Sequence, residues 1–140
     1  MLVPPVPSTA PRLFIVDDEE PLRIALRRWF TRRGWFCHDA GTMAGAEDVL
    51  FGEDACVPDV IICDLNLPDG SGEQLLGRIE RDRPELLARV IVSTGECLTD
   101  AMQARLDAAG CRVLPKPFDL TQAEAMSREM RQRRRNVARI

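Results

Sequence analysis

"PDVIICDLNLPDGSG", Pro58 to Gly72, holds an apolar strand that ends on an acid. Four apolar residues, Val60 to Cys63, run straight into Asp64, and a Pro-Asp-Gly-Ser-Gly turn follows. A buried carboxylate is costly unless it is paired, protonated or bound to a metal. At the rim of a sheet the same group becomes available for chemistry. The run shows no polar alternation, so the strand has both faces covered, as parallel sheets do.

Working outward, the same grammar repeats. "RLFIVDD" is an apolar run closed by two acids, and "EEPLRIALRRWFTRRG" puts Leu22, Ala25, Leu26, Trp29 and Phe30 on one helical face. Pro21 suits the first helical turn and Gly34 the end. "WFCHDA" is a short second strand and "TMAGAEDVLFG" a weaker helix. After the third strand, "DVIICD", Ser71 can cap the helix "GEQLLGRIERD". "ARVIVSTG" is a fourth strand, "LTDAMQARLDAAG" a helix ended by Gly110, "CRVLPKPF" a fifth strand, and "DLTQAEAMSREMRQRRR" the last helix. Five βα units with short loops predict an α/β fold, (βα)5, with a doubly wound parallel five-stranded sheet and right-handed crossovers.

The 140 residues fit one domain with a real core, 45% hydrophobic and 29% charged. A net charge of -3 argues against a chain built as a whole to bind polyanions. Five cysteines without a C-x-x-C pattern read as reduced core thiols, which predicts a cytoplasmic setting. No apolar run has membrane-spanning length, and "MLVPPVPSTAP" lacks the basic and apolar regions of a secretory signal. The expected organisation is a mobile proline-rich arm over 1–11, one domain over 12–134, and a basic tail or linker start over 135–140.

In such sheets ligands bind outside the carboxyl ends of the strands. There stand Asp17 and Asp18 after strand one, Asp64 at the end of strand three, Ser93 and Thr94 after strand four, and Lys116 after strand five. Two bare carboxylates ~4 Å apart repel by about 4 kcal/mol at an effective dielectric near 20, so three of them call for a cation. An all-oxygen site suits Mg²⁺, and the single histidine, His38, is not placed to make a zinc site. A metal, an ammonium and a hydroxyl together are equipment for a phosphoryl group. Each residue also has a plainer reading: "DDEE" as acids favouring a helix start, Asp64 as a turn cap, Thr94 as a loop hydroxyl, Cys63 as core.

"FIVDDEEP", "VIICDLNLPDGSG", "VIVSTGE" and "VLPKPF", in this order, resemble the receiver domain of bacterial two-component response regulators, across roughly Leu13 to Arg134. The resemblance implies a flavodoxin-like fold with strand order 2-1-3-4-5. It implies that Asp64 is phosphorylated by a sensor histidine kinase or phosphotransfer protein, and that the domain catalyses its own phosphotransfer and autodephosphorylation. Asp18 and Asp64 would ligate Mg²⁺ directly, Asp17 mostly through water, and the Asn66 carbonyl would complete the protein ligands. Lys116 would pair with a phosphoryl oxygen, Thr94 would start the conformational switch, and Pro117 would follow a cis bond. Asn66 and Glu96 occupy the positions that tune phosphoryl decay. A homodimer through the face of helix four, strand five and helix five is a further expectation, with nucleic acid reached only through an absent output domain. Two departures stand out. Val113 occupies the place of the usual Tyr or Phe, so an aromatic rotamer switch is unavailable, and Pro115 stiffens the end of strand five.

Competing classes have weaker support. An Asp-nucleophile phosphatase would carry a second aspartate where Asn66 stands. A flavin carrier would replace "DDEE" with a Ser, Thr and Gly loop. An interaction module that lost phosphorylation remains open. Residues 128–140 hold six arginines and one glutamate, a net of +5 against -8 for the rest. They form either a solvated helix end or a basic contact for an acidic partner, nucleic acid or an output domain.

Overall fold

In the computed structural model of the chain, the described residues are 9–138. Five strands form one sheet: β1 (Arg12–Val16), β2 (Phe36–Ala40), β3 (Val60–Asp64), β4 (Val90–Thr94) and β5 (Arg112–Pro115). Five helices alternate with them: α1 (Glu20–Arg32), α2 (Met43–Phe51), α3 (Gly72–Asp82), α4 (Asp100–Ala109) and α5 (Leu120–Ala138). The order across the sheet is β2-β1-β3-β4-β5, and every pairing is parallel. This is the expected (βα)5 arrangement.

The continuous apolar runs follow from two cores, one on each face. Along β1, Phe14 and Val16 face a core shared with Ala46 and Leu50 of α2, Leu75 and Ile79 of α3 and Leu106 of α4. Leu13 and Ile15 face the other core, with Leu26 and Phe30 of α1 and Ala123 and Met130 of α5. Strand side chains alternate, so only an all-apolar run fills both layers.

Local chemistry sets the helix ends. Thr42 and Thr99 accept the main-chain N–H of Gly45 and Met102, and Ser71 forms a reciprocal capping box with Gln74. Gly34 and Gly110 end α1 and α4 with φ of 88° and 78°, the left-handed region that favours glycine.

Two features differ from the expectation. Residues Asn66–Leu67 and Gly70–Ser71 pair as a small antiparallel hairpin after β3. A 3-10 turn, Pro84–Arg89, leads into β4. Helix α5 runs through Ala138, because no glycine or proline interrupts it after Leu120. Of the expected arm, residues 1–8 lie outside the described residues, as do 139 and 140 of the tail. Pro11 accepts the Phe36 N–H at 2.8 Å, and Thr9 accepts from Arg131 at 3.3 Å. No helix among the described residues is long and apolar enough to cross a membrane.

Candidate functional site

The strand register carries the acids to one rim. Val16 pairs with Cys63, so Asp17 and Asp64 stand at neighbouring strand ends, and Asp64 in turn pairs with Ser93. Asp17, Asp18 and Asp64 can each direct a carboxylate oxygen to a common point, with those atoms within 4.8 Å of one another. Asp17 and Asp64 are buried, whereas Asp18 is exposed.

Lys116 reaches across from the end of β5. Its Nζ lies 2.8 Å from Asp17 Oδ2 and 2.9 Å from Asp64 Oδ2. The Lys116 N–H donates to Thr94 O at 2.9 Å, which fixes where the side chain starts, and the Lys116–Pro117 peptide is cis. Burial works against the ammonium, but the hydrogen bonds to Asp17 and Asp64 override it and hold Lys116 above the ordinary lysine value. Burial also raises Asp17, and its contacts with Lys116 only partly offset that. One ammonium hydrogen-bonds both buried acids but balances the charge of only one. Three carboxylates and one lysine leave two negative charges, the charge of one divalent cation, and the donors are all oxygen. The site therefore fits a hard divalent metal.

The remaining Asp64 oxygen, Oδ1, accepts the Asn66 N–H at 2.9 Å, and Asp17 Oδ1 accepts the Glu19 N–H at 2.9 Å. Both carboxylates are thus held in orientation at both oxygens. Below Asp64 the start of α3 comes very close: a Cβ on Gly72 would lie 2.6 Å from Asp64 O and 2.7 Å from Leu65 Cα. Only glycine permits that approach, and it lets Gly72 N–H donate to Leu65 O at 2.7 Å.

Thr94 is buried one residue beyond the partner of Asp64, and its Oγ1 accepts the Glu96 N–H at 3.1 Å. Glu96 and Asn66 stand exposed on the rim. Val113 lies away from the acids, pairing with Val92 and packing with the core under α3 and α4. Cys63 is fully buried, and burial pushes its thiol up to about 12. His38 sits within β2 with its ring edge against Phe36, and burial lowers its pKa.

Three contributors carried no clear sequence signal. Arg23 donates to Asp17 O at 2.8 Å and pairs with Asp39 at 3.0 Å, bracing the first acidic turn. Glu19 approaches Lys116 at 3.4 Å. Asp69, in the turn after β3, accepts Met43 N–H at 2.7 Å and Ala44 N–H at 3.0 Å, so it caps α2 from outside. The "DDEE" run and the "PDG" turn placed the last two in loops without giving their targets.

The family model "Response regulator receiver domain" matches residues 13–128. The chain is 33% identical over 114 residues to the DNA-binding transcriptional regulator NtrC of Proteus hauseri, covering 81% of this chain and 23% of that protein. It is 39% identical over 127 residues to the transcriptional regulatory protein KdpE of Mycobacterium tuberculosis, covering 90% of this chain and 52% of that protein. The chain thus spans about a quarter to a half of these relatives. A crystal structure of a response regulator from Burkholderia pseudomallei, with a phosphorylated aspartic acid, calcium ion and citrate, matches with a TM-score of 0.68 and 26% identity, over 82% of this chain and 65% of that one.

Proposed function

The chain belongs to the response regulator receiver family, and we propose that Asp64 is the residue on which it accepts the phosphoryl group. The observation that carries this reading is the orientation of Asp64: buried at the end of β3, held through Oδ1 by Asn66 N–H and through Oδ2 by Lys116. A nucleophile on a rigid strand end loses little freedom when it reacts.

The donor is a phosphohistidine of a sensor histidine kinase or phosphotransfer protein. A carboxylate oxygen of Asp64 bonds to phosphorus as the phosphorus–nitrogen bond breaks, and the imidazole nitrogen keeps the electron pair. The product is an acyl phosphate. Lys116 moves from the carboxylate to a phosphoryl oxygen, carrying its positive charge with it. Asp17, Asp18 and Asp64, with the Asn66 carbonyl, are the residues that would hold Mg²⁺, which when bound neutralises charge gathering on the phosphoryl oxygens. Thr94 then turns toward the phosphoryl group. The later loss of phosphate, by water, is the domain's own activity.

The Burkholderia pseudomallei regulator, with its phosphorylated aspartic acid, supports the acceptor chemistry. The wider role is proposed with it: a cytoplasmic signalling switch that dimerises through α4, β5 and α5 and reaches nucleic acid only through an output domain.

Acetyl phosphate and Mg²⁺ followed by intact-mass measurement tests the reading. Wild type is expected to gain one phosphoryl group, lost on chelation of the metal beforehand, and Asp64→Asn to gain none. A phosphoryl group mapped mainly to another residue overturns it.

A further inference from the structure

At the opposite end of the sheet, where the strands begin, lies a cavity of about 460 Å³. Its walls carry Arg89, Arg112, Arg133 and Arg134, the acids Asp59 and Glu85, and Met130 and Ala88. Arg89 directly precedes β4, Arg112 opens β5, and the other two arginines come from the last turns of α5.

The arginines are not matched by acids. Asp59 serves both Arg134 and Arg131, Glu129 serves both Arg112 and Arg133, and Glu85 pairs with Arg83. Five guanidiniums therefore share three carboxylates, and Arg89 makes six arginines against three acids. Arg89 has no ion-pair partner among the described residues, and its Nη1 is taken by Pro58 O at 2.8 Å. Its Nε is shielded from solvent with no hydrogen-bond partner. Nη1 of Arg112 has Glu129 as its charge partner at 3.1 Å, an acid it shares with Arg133. Arg89 thus keeps a guanidinium donor shielded from water with nothing to accept from it, which buried polar groups rarely tolerate.

We propose that this cavity binds a small phosphate-bearing molecule of mononucleotide size, its phosphate on Arg89 and Arg112 and its apolar body against Met130 and Ala88. The volume lies within the range of small-molecule sites, and an apolar wall with a few convergent polar groups is their usual make-up. Guanidinium forks match phosphate oxygens, and a dianion suits a surplus of three positive charges. Burial and then the nearby charge of Arg134 push Arg89 below the ordinary arginine value, and a bound phosphate reverses that strain on the charged form. The site lies at the far end of the strands from Asp64 and does not depend on the phosphoacceptor reading.

The test is NMR titration of the full chain with AMP, adenosine and inorganic phosphate, in EDTA so that no metal recruits AMP to the acidic rim. AMP is expected to move the Nε–Hε signals of Arg89 and Arg112 and the Met130 methyl, leaving Thr94 and Lys116 amides in place. Inorganic phosphate should move the arginine signals alone, at higher concentration, and adenosine should move none. Arg89→Gln should weaken AMP about tenfold, the effect of losing one charge-assisted contact. Arg133→Gln, on a side chain 70% exposed and safe for folding, should weaken it several-fold. AMP shifts confined to the Asp64 rim, adenosine binding as well as AMP, or unchanged affinity in both folded variants would each overturn the proposal.

Discussion

Lys116 and Asp64 are joined across the carboxyl rim, Nζ of the one 2.9 Å from Oδ2 of the other. The ammonium approaches from between Pro115 and Pro117, where the backbone has little freedom. Lys116→Arg keeps the charge but replaces a compact ammonium with a wide planar fork. The variant is expected to fold, to take phosphate from a small donor and to fail to change conformation. Thermal melting, mass measurement and NMR shifts after donor addition check each part. A variant that switches like wild type removes Lys116 from the site.

Asn66 and Glu96 are both exposed, and under the proposed phosphorylation of Asp64 they would leave the path behind the phosphoryl group open to water. Replacing both with leucine is expected to slow the loss of phosphate several-fold. Decay is followed by intact mass after excess donor is removed. An unchanged decay rate would show that neither side chain shapes the water's approach.

Gly72→Ala is expected to cost about 1–3 kcal/mol, the usual range for overpacking. The added methyl would meet main-chain atoms of Asp64 and Leu65, which cannot swing aside as a side-chain tip can. Urea denaturation measures the loss. Phosphorylation should slow as well, because the displaced carbonyl belongs to the proposed acceptor, Asp64. Wild-type stability in this variant would contradict the close approach.

Asp69 gives a pH signature. Its hydrogen bonds from Ala44 and Met43 N–H lower its pKa below the ordinary 3.8. The folded value is the depressed one, so the contribution to stability is fully present above 3.8 and is lost as pH falls through the folded value. Asp69→Ala is expected to lower the melting temperature at neutral pH, with the difference from wild type shrinking in strong acid. A difference that stays constant down to pH 2 would mean that the carboxylate charge has no part in the cap.

Much of this arrangement is legible in the order of residues. Continuous apolar runs ending on Asp17, Asp64 and Thr94 gave the parallel sheet and its reactive edge, because only a doubly covered strand is apolar at every position. Ser71, Gly34 and Gly110 marked helix ends through chemistry local to each. What escaped depends on distances between segments. Nothing local tells that Asp69 reaches α2, that Arg23 braces Asp17, or that the arginines of α5 close over Asp59. The hairpin at Asn66–Leu67 was hidden for another reason: two-residue strands leave no periodicity to read.

Asp59 and Asp64 bracket strand β3. The first takes the Arg12 N–H and ion pairs from α5, and the second is gripped by Lys116 and the turn that follows. The strand is therefore tethered at both ends. A member held this way passes on a displacement instead of absorbing it. A displacement of the acid at one end is expected to register in the carboxyl half of α5 at the other, along five buried residues of backbone, and to be read there as NMR shifts of Arg131 and Arg134 when Asp64 is modified.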